Sequence, residues 1–86
     1  MLYRIFTENK NRPGIESIVN EYALGYTIMT GVGYWQGQRE KSLIIEVDGA
    51  TANTINSIRH IAQRIKDLNG QQSVMIQQLD TSTSFV

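Results

Sequence analysis

The chain has no cysteine and only one proline among its 86 residues, and neither sign of charge is in excess. Without thiols there is no disulfide to brace a small domain, no thiolate nucleophile and no soft-metal cage. The same absence suits a reducing compartment. Eight basic residues balance eight acidic ones, and neither set gathers into a run, so no field exists to draw in DNA, RNA or an anionic membrane. Nowhere do about 18 apolar residues run together, and residues 1–10 lack the apolar stretch of a signal peptide. A soluble cytoplasmic protein is expected, with no nucleic acid and no membrane as partner.

Catalytic machinery is also sparse. The one histidine, His60, falls on the side of a helix opposite its isoleucine stripe and reads as a solvated residue. One imidazole without ordered partners makes neither a triad nor a metal cage. Gly31-Val32-Gly33 lacks the third glycine, the following helix and the later acidic residue of a dinucleotide fingerprint. Glu40 and Glu46 share a strand face but lie near 20 Å apart at about 3.3 Å per residue, too far to work as a glycosidase pair. No catalytic or metal-ligating set emerges, and no cofactor is identified.

What the chain does have is regular alternation. Residues 2–7 alternate apolar and polar side chains and read as a first strand. Asn9, Asn11, Pro13 and Gly14 break it. Ile15, Ile18, Val19 and Tyr22 then recur at helical spacing, with Pro13 in the first turn, where its missing N–H does no harm. Residues 25–36 and 41–48 are two strand-like runs around Gly37-Gln38, a pair suited to a tight hairpin. Thr51 can cap the next helix, whose stripe is Ile55, Ile58, Ile61, Ala62, Ile65 and Leu68, ending at Asn69-Gly70. Residues 73–79 form a last strand, and a polar tail follows residue 80. The order strand, helix, strand, strand, helix, strand predicts an α+β, ferredoxin-like β-α-β-β-α-β domain over residues 1–80. Its four-stranded antiparallel sheet carries both helices on one face.

A turn at Gly37-Gln38 pairs Trp35 with Glu40, Gly33 with Ser42 and Met29 with Glu46. Side chains alternate between faces along each strand. Ile28, Thr30, Val32, Leu43, Ile45 and Val47 then face the helices, while Met29, Gly31, Gly33, Trp35, Glu40, Ser42, Ile44 and Glu46 lie on the open face. Glycine is disfavoured inside a strand unless a bulge forms or another group approaches the backbone. Gly31 and Gly33 therefore mark either a twist device or a shallow gap that a ligand or a second subunit fills. Trp35 is the aromatic wall of that gap, packing on a neighbouring subunit or stacking on a ligand. Glu40, between Arg39 and Lys41, reads as solvated, or as a polar contact of the gap. Glu46, set inside the apolar run 43–47, needs a partner if buried, and a hydrogen bond across a subunit boundary is one candidate.

The element order, the hairpin with Gly33-Tyr34-Trp35-Gln36-Gly37 and the closing Gln72-Ser73-Val74-Met75-Ile76 together resemble the PII-like and CutA-like group of small trimeric ferredoxin-like proteins. The resemblance covers about residues 2–80. It implies a homotrimer whose sheets pack around a central axis, with ligand clefts between subunits near Gly31, Gly33, Tyr34, Trp35, Gly37 and Glu40. The chain departs from the signalling members in its short hairpin loop and in having no lysine or arginine at residues 69–72 to hold phosphates. A chain of this length buries only about 60–65% of its unfolded surface, which gives self-association a physical reason of its own. The expected function is a non-catalytic homotrimeric module that takes a small ligand, a metal ion or a partner protein at its subunit clefts. Met29, Gly31, Gly33, Tyr34, Trp35, Gly37, Glu40, Ile44 and Glu46 are its candidate site and interface residues. Two alternatives stand beside it: a small enzyme of the dimeric α+β barrel type, with an apolar pocket between sheet and helices, and an assembly module with no ligand.

Overall fold

The computed structural model describes residues 1–49, 51 and 55–86. Its elements are β1 (Leu2–Glu8), α1 (Arg12–Tyr22), β2 (Thr27–Trp35), β3 (Gln38–Asp48), α2 (Ile55–Asn69) and β4 (Met75–Leu79). The strands form one antiparallel sheet in the order β2-β3-β1-β4, which is the expected ferredoxin-like arrangement.

One side of the sheet makes the core. Tyr3 and Ile5 from β1 and Leu43, Ile45 and Val47 from β3 are buried with Ile15, Ile18 and Val19 of α1 and Ile58, Ile61, Ala62 and Ile65 of α2. The pairing of Ile5 with Ile45 and of Ile45 with Ile28 puts the strand contributors on a single face. Both helices therefore lie on that face. Among the described residues no helix covers the other, which the C-terminal segment touches at one end, where the Thr83 hydroxyl donates to the Asp48 carboxylate.

The helix boundaries agree with the sequence reading in part. α1 begins at Arg12 with Pro13 in its first turn, as expected, and Asn11, in the left-handed region at φ 56°, caps it by accepting a hydrogen bond on its side chain from the Gly14 N–H. Whether Thr51 caps α2 lies outside the described residues, since residues 52–54 separate it from Ile55. The Thr51 hydroxyl lies 2.9 Å from the carbonyls of both Gly25 and Asp48, tying the end of β3 to the entry of β2. Leu68 is 45% exposed, and the buried place at the end of α2 goes to Asn69. The Asn69 side-chain amide donates to Lys10 O at 2.8 Å, while Lys10 Nζ reaches Asn69 O at 3.3 Å. A polar residue is tolerated there because a carbonyl answers it.

The hairpin turn sits one residue earlier than expected. Gln36 and Gly37 are its central residues, both with positive φ, 51° and 77°, the signature of the type I′ turn that matches strand twist. Trp35 consequently pairs with Gln38, Gly33 with Glu40 and Met29 with Ile44, not with Glu40, Ser42 and Glu46. Each partner moves by two residues, and since side chains alternate with period two, every residue keeps the face assigned to it. No bulge interrupts the pairing at Gly31 or Gly33, so neither glycine is a bulge device. The helices do not reach the hairpin's outer half, where Thr30 is exposed and Val32 is 54% exposed.

Candidate functional site

Alternation along four strands writes the open face out as rows. Met29, Ile44, Phe6 and Met75 are successive partners across β2, β3, β1 and β4, giving an apolar row that crosses the whole sheet. Beside it runs a polar row, Thr27, Glu46, Arg4 and Gln77. Met29 is 39% and Met75 51% exposed, which is unusual for side chains that gain by leaving water.

The polar row settles the partner of Glu46. Arg4 Nε donates to Glu46 Oε2 at 2.8 Å, with both side chains half-buried, so the carboxylate is satisfied within its own chain and needs no bond across a subunit boundary. Directly opposed charges on paired strands explain it. Glu46→Leu is expected to lower stability by no more than about 1 kcal/mol in urea titration, the usual worth of a water-screened pair, whereas a loss above about 2 kcal/mol would reveal a further partner.

Toward the hairpin the open face deepens into a groove of about 230 Å³ lined by Phe6, Thr7, Glu8, Gly33, Tyr34, Trp35, Glu40, Ser42, Gln71, Gln72, Ser73 and Met75. Four of the candidates named from sequence, Gly33, Tyr34, Trp35 and Glu40, meet there. Met29, Gly31, Ile44 and Glu46 lie on the same face but outside the groove, and Gly37 belongs to the turn. At Gly33 a Cβ would stand 2.6 Å from Ser42 Oγ, the end of a side chain that can rotate away, and 3.8 Å from the next atoms. At Gly31 a Cβ would meet only Ile44 Cδ1, at 3.8 Å.

Sequence reasoning missed the far wall of the groove. Gln71 donates from Nε2 to Thr7 Oγ1 at 2.6 Å and accepts on Oε1 from the Glu8 N–H at 3.2 Å. These bonds hold the segment between α2 and β4 against the end of β1, so that Gln72, Ser73 and Met75 face the hairpin. Phe6 and Met75 could have been found by carrying the alternation of β3 into β1 and β4.

On the helix side, His60 meets the Tyr22 ring edge-on with centroids 5.9 Å apart, and Arg64 lies 5.9 Å from the same ring. His60 is exposed but has a neighbour, which the reading as a merely solvated residue missed. Hydrogen bonding to Glu21, and then to Tyr22, raises the Arg64 guanidinium above its ordinary value. These groups form a surface clasp between α1 and α2, away from the groove.

No family model and no curated protein matches the sequence. Solved structures do match it. A DUF3240 family protein from Shewanella baltica aligns at 11% identity and a TM-score of 0.59, over 99% of this chain and 94% of that one. The divalent cation tolerance protein CutA1 from Thermus thermophilus aligns at 17% identity and a TM-score of 0.57, over 95% and 85%. The divalent ion tolerance protein CutA1 from Ehrlichia chaffeensis aligns at 17% identity and a TM-score of 0.53, over 98% and 84%. The likeness is one of fold, and it agrees with the CutA-like and PII-like resemblance carried by the element order and the hairpin.

Proposed function

We propose that the protein is a non-catalytic homotrimeric module that assembles through the open face of its sheet and holds a small ligand in grooves at the subunit boundaries. The observation that carries this reading is the apolar row Met29, Ile44, Phe6 and Met75, which no helix covers. Four strands at about 4.8 Å spacing make a row about 14 Å long. In a chain this small, leaving such a row in water forgoes stabilisation that a second subunit would supply. Trimeric rather than dimeric assembly is what the CutA-like resemblance implies.

Phe6 and Met75 belong both to the row and to the groove, so a subunit seated on the row would roof the groove and exclude water from it. The enzyme alternative needs a pocket between sheet and helices. Beneath the central strands that space is filled by Ile5, Leu43, Ile45, Val47, Ile58, Ile61 and Ile65, all at 0% exposure. The depression between α2 and β4 is rimmed by Arg59, Gln63, Lys66 and Ser73 rather than closed as an apolar pocket, which favours the binding module.

Sedimentation equilibrium tests the reading. A mass near three times 9.7 kDa is the expected result at micromolar concentration. A monomer would overturn it, and a dimer would favour the barrel-type alternative.

A further inference from the structure

The charges of the chain are not distributed evenly about the groove. Of the eight basic residues, Arg4, Arg12 and Arg64 are taken by Glu46, Glu16 and Glu21. Lys10 reaches the Asn69 carbonyl, and Arg59 and Lys66 line a separate depression between α2 and β4. Arg39 and Lys41 pair with Tyr34 and Val32 and so share the helix-side face of the hairpin. None of the eight lines the groove, whereas two carboxylates, Glu8 and Glu40, do. Among the described residues neither of these carboxylates takes part in a salt bridge.

The placement of the two acids is fixed by the sheet. Glu8 is opposite Ser42, and Glu40 stands two residues farther along β3 on the same face, a diagonal relation of roughly 7–8 Å between neighbouring strands. Phe6, Trp35 and Met75 line the same groove and give it an apolar wall with one indole, the best ring for a cation. An anion would meet two like charges and no basic side chain. A transition-metal ion would find no imidazole or thiolate, since the one histidine is on α2 and cysteine is absent.

We infer that the groove binds a short aliphatic diamine. One ammonium faces Glu8, the other faces Glu40, and the methylene stem lies against Phe6, Trp35 and Met75. At physiological pH both ends of such a molecule are protonated, so its two positive charges match the two unpaired carboxylates. The two strand positions lie on a diagonal of roughly 7–8 Å, the scale of a short methylene chain rather than of a long polyamine. The volume, about 230 Å³, lies just below the range of drug-sized sites and suits a small ligand. Ser42, Gln72 and Ser73 offer acceptors for the remaining ammonium protons. The inference names the ligand class of the proposed module and rests on that reading for the roof over the groove.

Isothermal titration with butane-1,4-diamine, run beside sedimentation on the same sample, tests it. Saturable binding is expected, weakened at least tenfold in Glu8→Gln and in Glu40→Gln and weakened by added salt. Butylamine, with one charge, should bind at least tenfold more weakly than the diamine, and ATP should not bind. Both variants replace half-buried acids by isosteric amides, and circular dichroism checks that they fold. A trimer that gives no heat with the diamine overturns the ligand class and leaves assembly standing. Equal affinity in the wild type and both Gln variants overturns it as well, while a monomer overturns the assembly reading instead.

Discussion

Ile44→Glu is expected to give a folded monomer. Ile44 occupies the middle of the apolar row, between Met29 on β2 and Phe6 on β1, and its side chain leans over Gly31. In a single chain it is only half-buried, so a carboxylate there stays in water and the fold is little affected. In an assembly that uses this face the same carboxylate would be desolvated without a partner, a penalty of about 3–5 kcal/mol per site. At about 1.4 kcal/mol per tenfold, each subunit contact weakens by between about 10²-fold and several thousand-fold, and closed symmetry repeats the damage at every interface. Sedimentation should report one chain mass and circular dichroism an unchanged spectrum. A trimer that survives the substitution would show that this face is not the interface.

Ile45→Ala, one position along, should act on the fold itself. Ile45 is fully buried, flanked by Ile5 and Ile28 on the helix side. Removing its buried carbons forfeits transfer energy and leaves a cavity the sheet cannot close, about 2–5 kcal/mol for changes of this kind. A domain of this size has about 4–13 kcal/mol of stability in all, so the loss is a large share of it. At roughly 4–8 °C per kcal/mol for small domains, the midpoint should fall by at least about 8 °C in calorimetry at matched protein concentration, which matters because assembly shifts the apparent midpoint. A drop under about 3 °C would mean the core closes around the missing atoms. Two adjacent isoleucines thus have opposite consequences, one for assembly and one for folding.

That contrast is readable from the sequence alone, because alternation along a strand depends only on parity. The turn is harder to place to the residue, since glycine sits in both Gly37-Gln38 and the true Gln36-Gly37 pair and a type I′ turn accepts a non-glycine residue at its first position. Shifting it by one moves each cross-strand partner by two, and the faces hold. Partnerships between distant segments are not legible. Glu46 looks unsatisfied in the sequence because Arg4 lies 42 positions away, and nothing in the hairpin points to it. The far wall of the groove depends on Gln71 reaching across 64 positions to Thr7, and a glutamine in a polar stretch carries no local sign of that. Helical stripes and strand faces are short-range patterns; the groove is made by long-range closure.

The central place of β1 in the sheet has a consequence for synthesis. Its two neighbours are β3 and β4, and its pairing with β4 runs from Leu2 opposite Leu79 to Phe6 opposite Met75. As the nascent chain emerges, β1 waits for β3 and then, with one edge bare, for β4 to be made. Contacts this far apart in sequence form late and slowly, and an unpaired strand edge is a template for the wrong neighbour. The hairpin, by contrast, can close as soon as it is made, so the groove is completed last, when β4 adds Met75 to a wall already standing.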